Sequence, residues 1–498
     1  MLVVEVDLTF YFCELIKKRI KFSFTLFNCD IIPTSLTIKL IGRTTKGDTM
    51  KEKEYYQLTP SQDVSYLQCK YTLDKRVINI LTSITFDEEI DFDLMHKAFN
   101  IMLERHDCLS IKFKKREKSL IQYFGAATLI EQIPVHNFTT KKEQDKFIEK
   151  VRKSPIKYLK GELIEPHFIR THEGKQMVFL KVCHLVLDIY GISIIFKDLI
   201  AIYDSLKNDR PLPQPPAKYE EVVKKDLERK NDKTYNDNNR QFFTKLINDN
   251  PEPYYAGLHG PNNKIWQKKL AKGNRGMKMF FVHNDTRDYC HKITADVVEK
   301  IYKYCEENKC SPATFMLYTC ALTAAKINNN TQHLLPLALY NCRGSILEKS
   351  CAGTKVQSVA CHTDFNYNAT FNNNFSQFNI NQFALCKHLG FPDREFEILL
   401  HKTYRSSWLE TYYSMTLSFL PMELPDGVNI KIYSNQKCAL PAYIVQLLNV
   451  KTNEIDMFYD VQIKIISEKD VEDFHQKYIS ILKQVTENPN KKLSEFLI

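Results

Sequence analysis

The sequence is poor in glycine and lacks paired cysteines. Only 14 of its 498 residues are glycine, well below the average of about 7%. This shortage excludes collagen-like and glycine-loop-rich architectures. No two of the 14 cysteines form a C-x-x-C pair, so neither a disulfide framework nor a zinc module is indicated. We expect free thiols in a reducing compartment, and no metal site.

Long apolar runs are also missing. No stretch of 18 uncharged apolar residues is present, so we expect no membrane span. The N-terminus begins with apolar residues, but Glu5 and Asp7 interrupt it, which is not typical of a signal peptide. These features predict a soluble, cytoplasmic protein.

Apolar and charged residues are both plentiful. Hydrophobic residues make up 44% of the chain and aromatic residues 12%, enough for large packed cores. Lys and Arg exceed Asp and Glu by 69 to 59, a net charge of +10, which favours acidic or phosphorylated partners. The densest basic run, Lys112–Lys118, lies between two predicted strands and is interpreted as a hairpin tip. We therefore expect no nucleic-acid partner.

Changes in composition divide the chain into four segments. Residues 1–49 lack the pattern of a packed domain, and we expect this N-terminal extension to be dispensable. Four prolines between Pro211 and Pro216 mark a linker. The predicted organisation is an N-terminal half over residues 50–215, a helical connector over 216–250 and a C-terminal half over 251–498. The asparagine-rich stretch Asn366–Asn381 is predicted to be a loop insertion.

The segment from His184 to Gly191 is a candidate catalytic site. Residues 178, 180, 182 and 184 alternate along one predicted strand, which places His184 inward at its end. Asp188 follows four residues later, and Gly191 then gives a flexible break before a helix. A buried imidazole can accept a proton from an attacking amine or hydroxyl, and a nearby carboxylate can hold the loop by pairing with an Arg. A single H-x-x-x-D is expected about once by chance in a chain of this composition, so a core histidine is the alternative.

The order of motifs along the chain is more specific than this pair alone. From Tyr55 to the end, the segments are, in order, YYQLTPSQDVSYL, LERHDCLSIKF, CHLVLDIYG, LALYNCRG, HLGFPDREFEILL, YYSMTLSFLP and the closing VEDFHQKYISILKQVTENPNKKLSEF. This succession resembles the condensation domains of nonribosomal peptide synthetases, which belong to the chloramphenicol-acetyltransferase-like H-x-x-x-D acyltransferases. The family pattern usually has Arg at Ser110, a first His at Cys183 and Gly at Ile189.

The resemblance implies an α/β (α+β) fold of two chloramphenicol-acetyltransferase-like subdomains that form a V-shaped pseudo-dimer, with the active site at the seam. It implies that His184 is the catalytic base or positioning group and that Asp188 is structural, paired with Arg343 or another buried Arg. Cys183, Gly191 and Asn341 are candidate lining residues, and backbone N–H groups near Gly191 are candidate oxyanion donors. A nucleophilic role for Cys183 is disfavoured, because strand alternation points it away from His184.

Several motifs of related systems are missing. The sequence has no adenylation-type nucleotide loop and no carrier motif, and residues 352–355 lack the earlier glycine of a P-loop. With no cofactor of its own, a stand-alone protein of this kind must take its acyl group from a phosphopantetheine thioester. The donor is then an acidic acyl or peptidyl carrier protein or acyl-CoA, and the acceptor an amine or alcohol. The alternatives are an acyl-CoA-dependent O- or N-acyltransferase of the same fold and a degenerate scaffold that docks carriers.

Overall fold

The computed structural model describes residues 53–117 and 119–498. They belong to one compact unit that extends from Met50 to Ile498. The expectation that residues 1–49 are dispensable lies outside the described residues.

The strands of the described residues form two large sheets and three small ones. In chain order they are β1 (Tyr56–Gln57), β2 (Asn79–Phe86), β3 (Ile111–Arg116), β4 (Ser119–Phe124), β5 (Val135–Asn137), β6 (Ile164–Arg170), β7 (Gln176–Cys183), β8 (Met277–Lys278), β9 (Thr286–Ile293), β10 (His333–Leu334), β11 (Leu337–Asn341), β12 (Val356–Ala360), β13 (Thr363–Asp364), β14 (Glu410–Thr411), β15 (Thr416–Met422), β16 (Val428–Tyr433), β17 (Ala442–Asn449) and β18 (Glu454–Gln462).

The helices pack on both large sheets and connect them. They are α1 (Pro60–Tyr71), α2 (Phe92–Arg105), α3 (Lys141–Arg152), α4 (Ile189–Lys207), α5 (Tyr219–Asn231), α6 (Lys233–Asp249), α7 (Lys264–Leu270), α8 (Ala295–Glu307), α9 (Pro312–Ile327), α10 (Ile346–Lys349), α11 (Phe371–Cys386), α12 (Asp393–Thr403) and α13 (Glu468–Glu487). No helix in residues 53–117 or 119–498 combines the length and apolar character that crossing a membrane requires.

The five-stranded sheet has the order β16-β2-β7-β6-β5, so β7 is its central strand. All neighbours are antiparallel except β5 and β6. Helices α2 and α4 share one core with Val178, Leu180 and Val182, while α3 packs with Met177 and Phe179 on the opposite face. Every residue of β7 is therefore buried, and the strand ends inside the protein rather than at its surface.

The six-stranded sheet has the order β12-β11-β15-β17-β18-β9, with parallel pairing of β15 to both β11 and β17. Helices α8, α9, α11 and α13 contribute to its apolar core. The second half also reaches the first, because β16 pairs with β2 and extends the five-stranded sheet. Cys351 and Ala352 likewise pack into the core of the first half. These contacts between the two halves bring the segment around Arg343 to the end of β7.

Two local expectations need correction. The asparagine-rich stretch is not a loop insertion, because most of it lies in α11, where Thr370 caps the helix and Phe371, Phe375 and Phe378 are buried. These aromatic residues recur at helical spacing and stabilise a helix that asparagine alone disfavours. Gly191 is not a break before the next helix, because α4 begins at Ile189 and includes it.

Candidate active site

His184 follows directly after the central strand. Its backbone N–H donates to the Ile78 carbonyl at 2.8 Å, which extends the β2–β7 pairing by one more bond. The side chain is half-buried, and its Nδ1 lies 3.1 Å from the Leu187 carbonyl oxygen. Because a carbonyl can only accept, Nδ1 carries the hydrogen and Nε2 keeps its lone pair. Nε2 makes no hydrogen bond within the part of the chain that the structure describes.

The charge state of His184 follows from its surroundings. Burial lowers the pKa of the imidazole below its ordinary value, and the nearby Asp188 carboxylate opposes this effect only in part. The ring is therefore neutral near neutral pH. A neutral imidazole with a fixed tautomer and an uncommitted Nε2 can accept a proton.

Both carboxylate oxygens of Asp188 accept hydrogen bonds from neighbouring residues. As the N-cap of α4, its Oδ1 accepts the Gly191 N–H at 2.7 Å, and its Oδ2 accepts the Lys355 N–H at 2.7 Å. Arg343 adds two bonds, Nη1 to Oδ2 at 3.0 Å and Nη2 to Oδ1 at 3.1 Å. Burial alone would raise the pKa of Asp188, but Arg343 and these hydrogen bonds hold it below the usual range. The carboxylate is thus a structural anion with no free oxygen for chemistry.

Arg343 joins three segments at this point. Besides Asp188, it donates to the Asn341 side chain at 2.8 Å and to the Gly353 carbonyl at 2.6 Å. Its guanidinium lies 4.8 Å from the ring centre of Tyr190, and the residue is buried. The structure thus contains the Asp188–Arg343 pair that the family resemblance implied, and it brings Asn341 to the same cluster.

Gly191 has a different role from the one we expected. Its N–H is already bound to Asp188, so it is not available as an oxyanion donor. A Cβ on Gly191 would lie 2.6 Å from the Gly353 oxygen, closer than ordinary packing permits. Glycine is required here because α4 and the backbone at Gly353 approach each other closely.

This close approach leads to a prediction about stability. Gly191→Ala should lower the free energy of unfolding by about 1–3 kcal/mol, because the added methyl group overpacks a backbone contact. Denaturant unfolding of the full chain measures the effect. Gly344→Ala is the matched control, since its Cβ would meet only the Glu348 carboxylate, at 3.7 Å. A Gly191→Ala variant as stable as this control would contradict the proposed contact.

Cys183 is a core residue. It is fully buried, and burial raises the pKa of its thiol to about 12. A thiol with this pKa is protonated at neutral pH and is not a nucleophile. Burial and the raised pKa of the thiol therefore disfavour a nucleophilic role for Cys183.

Sequence reasoning missed Lys355 and the segment before it. Residues 352–355 resemble only an incomplete P-loop when the sequence is taken alone. In the structure, the Gly353 carbonyl and the Lys355 N–H hold Arg343 and Asp188. The Lys355 ammonium is buried between Asp226 at 2.7 Å and Glu348 at 3.1 Å, and no local motif indicates either contact.

A cavity of about 450 Å³ opens beside this network. Arg343, Asn341 and Lys355 line it together with residues of α5. Its size is that of a small-molecule pocket, and its lining is strongly charged. His184 is not among the lining residues.

Comparison with solved structures establishes the fold. A mutant of the starter condensation domain of rhizomide synthetase, solved with C8-CoA, has a TM-score of 0.74 at 12% identity, covering 89% of this chain and 97% of that one. The first condensation domain of the calcium-dependent antibiotic synthetase, solved with a substrate analogue, has a TM-score of 0.73 at 12% identity, with 89% and 98% coverage. The expected fold class, two chloramphenicol-acetyltransferase-like halves of mixed α/β structure, is confirmed.

Sequence comparison assigns the family. Residues 52–402 match the condensation domain family model, and the chain belongs to this family. A plipastatin synthase polypeptide of Bacillus subtilis (strain 168) is 19% identical over 454 residues, which are 88% of this chain and 17% of that protein. Gramicidin S synthase 2 of Brevibacillus brevis is 25% identical over 173 residues, 32% of this chain and 4% of that protein. The chain therefore spans a small part of these relatives.

Proposed function

We propose that this protein transfers an acyl or aminoacyl group from a phosphopantetheine thioester to an amine or hydroxyl, with His184 as general base. Condensation domains are acyl or peptidyl transferases that form amide bonds. The observation that carries the proposal for this chain is the orientation of the His184 imidazole, whose Nδ1 lies 3.1 Å from the Leu187 carbonyl oxygen and whose Nε2 has no hydrogen-bond partner among the described residues. In this proposal Asp188 and Arg343 shape the loop that presents the imidazole.

The reaction is balanced without a bound cofactor. The acceptor nitrogen attacks the thioester carbonyl carbon while His184 Nε2 accepts its proton. The new C–N bond forms, the C–S bond breaks, and the proton passes to the departing sulfur, which leaves as the pantetheine thiol. A hydroxyl acceptor gives an ester by the same sequence.

The donor carries phosphopantetheine in either of two forms. A neighbour of the same fold was solved with C8-CoA, and a second with C8-CoA and Leu-SNAC, which favours testing acyl-CoA directly. The net charge of +10 suits an acidic carrier protein or the CoA phosphates. The scaffold alternative is less well supported, because a protein that only docks carriers has no need of an oriented Nε2 or of an intact Asp188–Arg343 pair.

The direct test offers octanoyl-CoA, or an octanoyl-loaded acidic carrier protein, together with Leu-SNAC. Amide product is measured by mass spectrometry, and thiol release by a colorimetric thiol reagent. We expect product that depends on both substrates. Thiol release without an acceptor would show hydrolysis only, and no product from either donor would favour the scaffold.

The pH dependence tests the charge state of His184. A base must be neutral to act, and the pKa of His184 lies below the ordinary value of about 6.5 because partial removal from water disfavours the charged imidazolium. The rate of acyl transfer should therefore stay constant as the pH falls to 6.5 and should decline only at lower pH. The kcat/KM profile of the free enzyme reports this pKa, and an acid limb centred above 6.5 would contradict the assignment.

A further inference from the structure

Two cysteines meet at the turn between α8 and α9. Helix α8 is followed by Lys309, which has a left-handed φ of 50° and donates its N–H to the Glu306 carbonyl at 3.3 Å. The N–H of Cys310 donates to the Cys305 carbonyl at 3.0 Å. These two bonds define a Schellman motif, in which the side chains of the outer bonded pair often pack together. Both outer positions are cysteine in this chain, so the turn holds two thiols side by side.

The two thiols are hydrogen-bonded to each other. The S–H of Cys305 donates to the sulfur of Cys310, which raises the pKa of Cys305 and lowers the pKa of Cys310. Among the described cysteines, Cys310 is the one whose pKa is lowered. Cys305 is buried in the apolar core of the second half, whereas Cys310 is partly exposed at the edge of that core. Cys310 therefore combines access to solvent with thiolate character, the two properties of a reactive cysteine.

The geometry of the turn suits a disulfide. A bridge forms without backbone movement when the two Cα atoms lie about 4.4–6.8 Å apart and the Cβ atoms point toward each other. The direct backbone bond between Cys305 and Cys310 keeps their Cα atoms close, and the contact between the thiols requires that both side chains point inward. We propose that Cys305 and Cys310 form a reversible redox pair, in which Cys310 reacts first with a low-molecular-weight disulfide and Cys305 completes the bridge.

The exchange is balanced with one molecule of a disulfide oxidant such as oxidised glutathione. The Cys310 thiolate attacks one sulfur of the oxidant, so that a new S–S bond forms, the old one breaks and one glutathione thiolate leaves. The Cys305 sulfur then attacks the sulfur of Cys310 and displaces the second glutathione. The two protein thiols lose two electrons to the oxidant, and their two protons end on the two glutathione molecules. Cys305 needs no access to solvent, because its target lies beside it.

Peptide mapping of the full chain tests this proposal. The folded protein is incubated with an excess of oxidised glutathione, its remaining thiols are alkylated, and trypsin then cleaves after Lys309, between the two cysteines. Peptides 304–309 and 310–326 stay joined only through a disulfide, and tandem mass spectrometry distinguishes Cys310 from Cys320 in the second peptide. We expect a Cys305–Cys310 link in most molecules and its loss in reduced glutathione. Absence of the link from the oxidised protein would overturn the proposal.

Single variants assign the order of the two steps. Cys305→Ser should retain a glutathione adduct on Cys310, because no second thiol displaces it. Cys310→Ser should carry no adduct on the buried Cys305. An adduct on Cys305 in this variant, or none on Cys310 in Cys305→Ser, would contradict the assigned order.

Cys290, an exposed thiol on β9, provides the matched control. Partial removal from water raises the pKa of Cys290 to about 11, so Cys310 should be alkylated at least about tenfold faster at neutral pH. The rates are measured peptide by peptide in the unmodified, reduced protein. Cys290→Ser should leave formation of the Cys305–Cys310 link unchanged. Equal rates at the two thiols, or loss of the link in Cys290→Ser, would count against a reactive pair at the α8–α9 turn.

Discussion

Replacing His184 by alanine should lower the rate of acyl transfer by about 10²–10⁴-fold, the usual contribution of a positioned general base. The imidazole contributes little to packing, because it is half-buried and makes one hydrogen bond, to Leu187. We therefore expect a folded variant with an unchanged thermal midpoint. The measurement is the rate of octanoyl transfer to Leu-SNAC, followed as amide product.

Two further variants separate chemistry from structure. His184→Gln retains an amide that can donate to Leu187 but cannot act as a base, so it should be as slow as the alanine variant. His96→Ala is the matched control, because His96 is also half-buried and bonded to a backbone carbonyl, that of Ile130, at 2.7 Å. It should keep full activity. Turnover of His184→Ala at the rate of the unmodified protein would show that the imidazole does not act as the base.

Local rules were sufficient for most helix starts. Thr59, Asp91 and Ser467 are residue types that favour helix starts, and each caps the helix that follows it, because a capping side chain and the N–H groups that it accepts lie within three residues. The position of His184 at the end of a buried strand was also predictable from the apolar run before it. In contrast, both faces of β7 are buried. Alternation of apolar and polar residues therefore could not predict which face of the strand packs against which core.

Contacts between distant residues needed either the family resemblance or the structure. Arg343 is 155 residues from Asp188, and only the motif order suggested their pairing. No local sequence pattern predicts the role of Lys355, since its partners Asp226 and Glu348 belong to α5 and α10. The addition of β16 to the first sheet was equally hidden, because a strand pattern does not state which sheet the strand joins.

The departure at Ile189 has a structural explanation. This residue begins α4, and its side chain packs against the core of the first half. The close backbone approach occurs instead at Gly191, in the first turn of α4, beside Gly353. Isoleucine is therefore accommodated at position 189 without displacing Asp188 or the turn that holds His184. The departure changes the packing of the loop and leaves the Asp188–Arg343 pair in place.

Asp188→Ala should destabilise the protein by about 3–5 kcal/mol, because it leaves the buried Arg343 without its counter-ion. The variant also removes the N-cap of α4 and the acceptor for the Lys355 N–H. Activity should fall as well, since the loop that presents His184 loses its anchor. Chemical denaturation of the full chain measures the loss. Because the pKa of Asp188 is lowered in the folded protein, its stabilising effect is present above its unfolded pKa of about 3.9 and disappears as the pH falls through the folded value.

A second substitution distinguishes an uncompensated charge from a lost packing contact. If the unpaired guanidinium is the cause, Asp188→Leu combined with Arg343→Met should be more stable than Asp188→Leu alone, because no buried charge remains. Asp87→Ala, which breaks the exposed pair with Lys175, is the control and should leave the unfolding midpoint unchanged. Additive losses in the double variant would mean that the two side chains stabilise the fold independently, and the ion pair would then not be what holds the His184 loop.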